Sequence, residues 1–151
     1  MGYYMRYIST DERPLSLAMI GETLGAIDPR YLIRTTDLDE LVEVIYDDKL
    51  YGQIEINTPG DELFEDDINA FMEMVGKPTT QEEHLVMATL TAATQMIAVE
   101  MFWEGTASEA TFALFDPLWD WLFANRRGVL QADTEGFYSA DGLLVERKFM
   151  I

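Results

Sequence analysis

Four carboxylates stand beside aromatic residues in this sequence: Asp116 and Asp120 within the run Phe115 to Phe123, and Asp133 and Glu135 just ahead of Phe137 and Tyr138. Two carboxyl groups can serve as general acid and general base when an apolar setting raises the pKa of one, as in glycoside hydrolysis. Asp116, Asp120, Asp133 and Glu135 are therefore the candidate carboxylate site. Simpler roles compete with that reading. Asp116 precedes Pro117 and suits a helix N-cap, and Asp133 to Glu135 suit a turn between strands.

Other catalytic chemistries have little to draw on. There is no cysteine, and the serines Ser9, Ser16, Ser108 and Ser139 lie outside any Gly-x-Ser-x-Gly elbow. A Ser-His-Asp triad would have to use His84, which reads as a histidine in the first turn of a helix beside Glu82 and Glu83. Phosphate cradles need closely spaced glycines followed by a basic residue. Gly52, Gly60, Gly76 and Gly105 stand apart from one another, so nucleotide binding of these kinds is not expected.

Without sulfur ligands, and with one imidazole, a metal would have to be held by oxygen. The dense acidic groups are Asp37, Asp39 and Glu40, with Asp47 and Asp48 further on, and Asp61, Glu62, Glu65, Asp66 and Asp67. Neither they nor Asp133-Thr134-Glu135-Gly136 match the spacing of an EF-hand loop. They read as solvated faces and helix N-termini, and neither a metal nor a cofactor is expected.

The aromatic run Phe115 to Phe123 carries a different signal. On a helix begun at Asp116, Leu118 and Leu122 form one stripe with Trp121 beside it, and Trp119 and Phe123 form a neighbouring stripe, so apolar groups exceed one core-facing face. Trp and Phe anchor many protein interfaces. Trp119, Trp121 and Phe123 are thus the candidate contact residues for a partner protein or a second copy of the chain.

Charge narrows the partners. The chain of 151 residues carries 28 Asp and Glu against 10 Lys and Arg, a formal net charge of −18. Such a surface repels phosphate backbones and anionic lipids, which excludes direct nucleic-acid and membrane binding. The same field attracts a basic protein and speeds encounter with it, although high negative charge also serves solubility alone. The longest apolar stretch, Leu85 to Trp103, is broken by Thr89, Thr91, Thr94, Gln95 and Glu100 and does not read as a membrane span. The first nine residues lack a basic segment followed by an apolar run, so no signal peptide is expected. Absence of cysteine suits a reducing cytoplasm.

These residues need a scaffold, and its elements are marked by period and punctuation. Tyr3 to Ile8 reads as a strand; Leu17, Ile20, Leu24 and Ile27 recur at helical spacing and stop at Asp28-Pro29. Tyr31 to Thr35 follows, then Leu41 to Tyr46, a turn Asp47-Asp48-Lys49, and Leu50 to Asn57, the last two as a hairpin with one apolar face. Pro59-Gly60-Asp61 opens a helix in which Phe64, Ile68, Phe71, Met72 and Val75 share a face, closed by Gly76. A capping box at Thr79 or Thr80 starts another, ending near Gln95. A strand from Ile97 to Trp103 and a Glu104-Gly105 turn come next. The region from Ser108 to Asn125 is expected as two short helices meeting at Asp116-Pro117. The tail reads as Val129 to Asp133, Phe137-Tyr138, and Leu143 to Phe149.

Paired strands interrupted by helices favour a single α+β domain over 1–151, with a largely antiparallel sheet and helices packed on one face, ferredoxin-like or a related open-sheet sandwich. The leading functional expectation is a non-catalytic acidic interaction domain, such as an inhibitor or neutralising partner of a basic protein, with homo-oligomer formation also open. The alternative is a small carboxylate-dependent enzyme or small-ligand-binding domain.

Overall fold

The computed structural model describes residues 2–37, 40–103 and 108–148. The expected Glu104-Gly105 turn, Asp39 and Phe149 lie outside them. The first strand, β1 (Gly2–Ser9), alternates strictly, sending Tyr3, Met5 and Tyr7 to one side and Tyr4, Arg6 and Ile8 to the other. It lies inside the sheet, with β5 (Gln95–Phe102) on one flank and β6 (Gly128–Ala132) on the other, both antiparallel to it. Around these are β2 (Tyr31–Thr35), β3 (Leu41–Tyr46), β4 (Lys49–Asn57), β7 (Gly136–Ser139) and β8 (Gly142–Glu146). The eight strands are ordered β2-β3-β4-β5-β1-β6-β7-β8, and every pairing among the described residues is antiparallel. The α+β open antiparallel sheet is thus as expected from the sequence.

Helix placement differs. Four helices connect the strands: α1 (Leu17–Ile27), α2 (Glu62–Val75), α3 (Gln81–Thr91) and α4 (Ser108–Asn125). They do not lie on one face. The first core cluster joins Tyr7, Val44, Ile54, Ile97 and Val99 of the sheet to Ile20 and Leu24 of α1 and to Phe115, Leu118 and Leu122 of α4. A second cluster, on the other side of β1, joins Ile8, Met96, Val129, Phe137 and Val145 to Phe64, Phe71 and Val75 of α2 and to Val86 and Leu90 of α3. The reason lies in β5, where Met96, Ile97, Ala98 and Val99 are all buried in succession: a strand apolar on both sides must be covered on both.

The second helix pair covers only part of its face. Its sheet partners come from β1, β5, β6, β7 and β8, and no residue of β2, β3 or β4 joins that cluster. The part of this face built by β2, β3 and β4 lies outside the α2–α3 cluster.

Other boundaries follow local chemistry. The capping box is the one at Thr80, whose hydroxyl accepts from Glu83 N while the Glu83 carboxylate accepts from Thr80 N, and α3 stops at Thr91 rather than near Gln95. Asp47 and Asp48 both take positive φ, 50° and 66°, so the hairpin turn is two residues long and Lys49 already pairs with Tyr46. The region Ser108–Asn125 is one helix, not two, with Pro117 inside it. Pro117 leaves the Ala113 carbonyl without its helical donor, and Ala113 is exposed, where water can take that place.

Candidate functional site

On the partly uncovered face, the organising residue is Arg6, which the sequence reading passed over. It is 5% exposed. Its Nη1 donates to Gln131 Oε1 at 2.8 Å and to Asp133 Oδ1 at 2.7 Å, and its Nε meets Asp67 of α2 at 3.2 Å. The guanidinium also lies over the rings of Tyr4 at 4.8 Å and Phe71 at 5.5 Å. Burial holds the Asp67 carboxyl above its ordinary range, an effect Arg6 offsets only in part. A charged residue in a strand otherwise made of Tyr, Met and Ile was the available signal, because a buried arginine is found paired.

Beyond Arg6, the side of this face toward β2, β3 and β4 carries carboxylates. Tyr4, Glu100, Gln53 and Glu43 are successive cross-strand neighbours on β1, β5, β4 and β3. Glu55 stands one step along, opposite Ala98. Glu43 is tied to Arg34 at 2.7 Å, whereas neither Glu55 nor Glu100 belongs to an ion pair among the described residues. Tyr4 hydrogen-bonds to Glu100, and burial, followed by the Glu100 charge, raises its hydroxyl pKa. Tyr4, Leu41, Gln53, Glu55 and Glu100 line a shallow depression of ≈ 80 Å³.

The opposite face holds the larger of these two concavities, of ≈ 270 Å³, between α4 and β7. Helical spacing builds one wall: Phe112, Asp116, Trp119, Asp120 and Phe123 fall at i, i+4, i+7, i+8 and i+11 of α4. Met5, Leu130, Tyr138 and Ser139 of the sheet, with Glu135 of the β6–β7 turn, build the other. The helix is fixed over the sheet at several points. Tyr7 donates to the Arg126 carbonyl at 3.1 Å, and Tyr31 donates to the Leu114 carbonyl at 2.6 Å. Gly52 admits the Phe115 ring, since a Cβ there would lie 3.0 Å from its Cζ and 2.5 Å from the Glu100 carbonyl oxygen.

Electrostatics in this cleft are one-sided, for no basic side chain among the described residues lines it. Burial and the neighbouring Asp120 raise the Asp116 carboxyl. Tyr138 donates to Glu135 Oε1 at 2.5 Å, a bond that holds the phenol protonated and moves its pKa up to about 12. Trp119 is 4% exposed, and its Nε1–H has no acceptor among the described residues.

Of the four candidate carboxylates, the cleft gathers Asp116, Asp120 and Glu135. Asp133 is elsewhere, held by Arg6 and by Gln131 Nε2 at 3.1 Å. Asp116 is an interior residue of α4 rather than an N-cap. The aromatic candidates are divided. Trp119 is buried and forms part of the cleft wall; Trp121 is half-buried under the Arg126 guanidinium, 5.6 Å away. Phe123 packs edge-on against Tyr7 at 5.2 Å and lines the cleft. His84 is exposed on α3. Among the described residues no group of three or more Asp, Glu or His is placed to hold a metal ion, and no helix is long and apolar enough to cross a membrane. Comparison with protein-family models, with curated proteins and with solved structures finds no match.

Proposed function

We propose that this chain is a non-catalytic interaction domain that binds a basic protein, using the part of the sheet outside the α2–α3 cluster as its contact surface. What supports this reading is that Glu55 of β4 and Glu100 of β5, in no ion pair among the described residues, stand near Glu43 of β3, which Arg34 of β2 already pairs, at the side of the sheet outside the α2–α3 cluster, in a molecule of net charge −18. Like charges close together on a sheet oppose folding. They are relieved when a partner supplies Lys or Arg, and their long-range field raises the rate of encounter at low salt. Extended, rigid and already formed, the face would need little rearrangement on binding. Neutralising such a partner requires no catalytic group of this chain.

The test compares the wild-type protein with a Glu43→Gln, Glu55→Gln, Glu100→Gln variant, each used to capture proteins from the host lysate at low and at high salt. The expected result is one stoichiometric basic protein held by wild type at low salt, released at high salt, and reduced at least tenfold with the variant. Recovery of the chain alone, or equal capture by both forms, overturns the proposal.

A further inference from the structure

The sheet ends at β2, and the backbone there is set to pair again. Among the described residues β2 pairs only with β3. Asp47 N donates to the Arg30 carbonyl, which puts Arg30, Leu32 and Arg34 at the positions that bond toward β3. The N–H and C=O groups of Ile33 and Thr35 therefore project from the free edge. Devices that guard natural edges are missing here: Tyr31–Thr35 holds no Pro, Lys or acid, its ladder runs without a bulge, and its one charge, Arg34, is paired with Glu43 at 2.7 Å. At the other end of the sheet, β8 carries Glu146, follows Asp141 and pairs across a register shift between Phe137 and Tyr138.

A groove of ≈ 590 Å³ runs along β2. Leu17, Ala18 and Gly21 of α1 line one side, and Tyr31, Leu32 and Ile33 the other. Tyr31 and Ile33 turn toward α1 and Leu32, 56% exposed, turns the opposite way, so an occupant touching all three lies beside the strand. We propose that this occupant is a second copy of the chain, its β2 added antiparallel about a twofold axis at Ile33. In that register the two Ile33 residues exchange both backbone bonds, and each Thr35 N–H reaches the other copy's Tyr31 carbonyl. Charge fits the pairing. No carboxylate lies within the joined strands, and Arg30 of each copy, held by Asp28 yet 60% exposed, is brought toward the exposed Asp37 of the other. The Arg34 stem covers the other copy's Leu32 while its guanidinium stays with Glu43. A second copy meets every one of these conditions because the edge is self-complementary.

Each copy carries −18, so long-range repulsion opposes the dimer and salt strengthens it; salt weakens capture of a basic protein, and the two readings therefore fail separately. Sedimentation velocity of the full chain at low and high NaCl is the test. The expected result is a dimer with a micromolar dissociation constant at high salt, at least tenfold weaker at low salt. Leu32→Lys, at an exposed side chain, and Thr35→Pro, whose lost N–H bonds nothing in β3, should each weaken the dimer at least tenfold and keep the wild-type circular dichroism spectrum. Hydrogen exchange of the wild-type chain needs no variant: the Ile33 and Thr35 amides should gain protection as protein concentration rises, more than those of Leu32 and Arg34. A chain that stays monomeric at high salt and millimolar concentration, a dimer that either substitution leaves intact, or a dimer without added protection at Ile33 and Thr35 overturns the proposal.

Discussion

Arg6 has lost nearly all its water, and three groups replace it: Asp133 and Gln131 from the sheet side and Asp67 from α2. Desolvation makes such a cluster a poor source of net stability, but removing one member strands the rest without their counter-charge. Arg6→Met would leave Asp67 and Asp133 facing each other without a cation, next to the Phe71 ring. The expected cost is about 3–5 kcal/mol, read as a lower midpoint in urea denaturation with an unchanged slope. A loss below about 1 kcal/mol would mean that water already reaches the pair. Gln131 tightens the same arrangement by donating to the oxygen of Asp133 that Arg6 also uses. The network thus ties α2 to the sheet through Asp67, beside the apolar packing of Phe64, Ile68, Phe71 and Val75.

Among the elements, α3 carries the best-defined start. Glu83 accepts from Thr79 and Thr80 and also receives Arg147 Nη2 at 2.7 Å, so one carboxylate both caps a helix and ties it to the chain beyond β8. Those backbone and side-chain donors, the Thr79 backbone foremost, hold its pKa down to about 2 against an ordinary value of 4.5. A carboxyl with a depressed pKa contributes stability above its unfolded value and loses it as pH falls toward its folded value. Glu83→Gln should therefore lower Tm at pH 7, and the gap from wild type should narrow as pH drops from about 4.5 to about 2. A gap independent of pH would show that the Glu83 charge takes no part.

Elements whose apolar residues keep one period were legible in the sequence, and those governed by distant neighbours were not. The face of α2 and the Thr80 capping box could be read because spacing and cap chemistry are local. Burial of β5 on both sides was visible as consecutive apolar residues, yet which helices would cover it depends on strand order. The break expected at Asp116-Pro117 failed because propensity alone cannot register that Ala113 faces water and that Tyr31 braces the adjoining turn. Within the cleft, Asp116, Asp120 and Glu135 were foreseeable as acid beside aromatic, whereas Met5 arrives from a strand more than a hundred residues away.

For the whole molecule, a net charge of −18 acts in opposite directions on folding and on binding. Self-repulsion opposes the compact state, and salt shortens its range from about 30 Å at 0.01 M to about 3 Å at 1 M. Raising NaCl over that range should increase Tm, by about 2–4 °C for each 1 kcal/mol of repulsion removed in a chain of this size. Salt that strengthens the fold should at the same time release a basic partner. A Tm that falls with NaCl would place the ion pairs, and not the excess charge, in control. The sheet itself has a consequence in time. Although β1 precedes its two neighbours β5 and β6 in the chain, its final pairing waits until residues 95–132 have been synthesised. Before then Tyr7 and Ile8 lack their sheet neighbours, and closure over so long a separation is slow. A nascent chain halted before residue 95 therefore leaves both edges of its first strand unpaired, the condition that exposes a growing chain to aggregation.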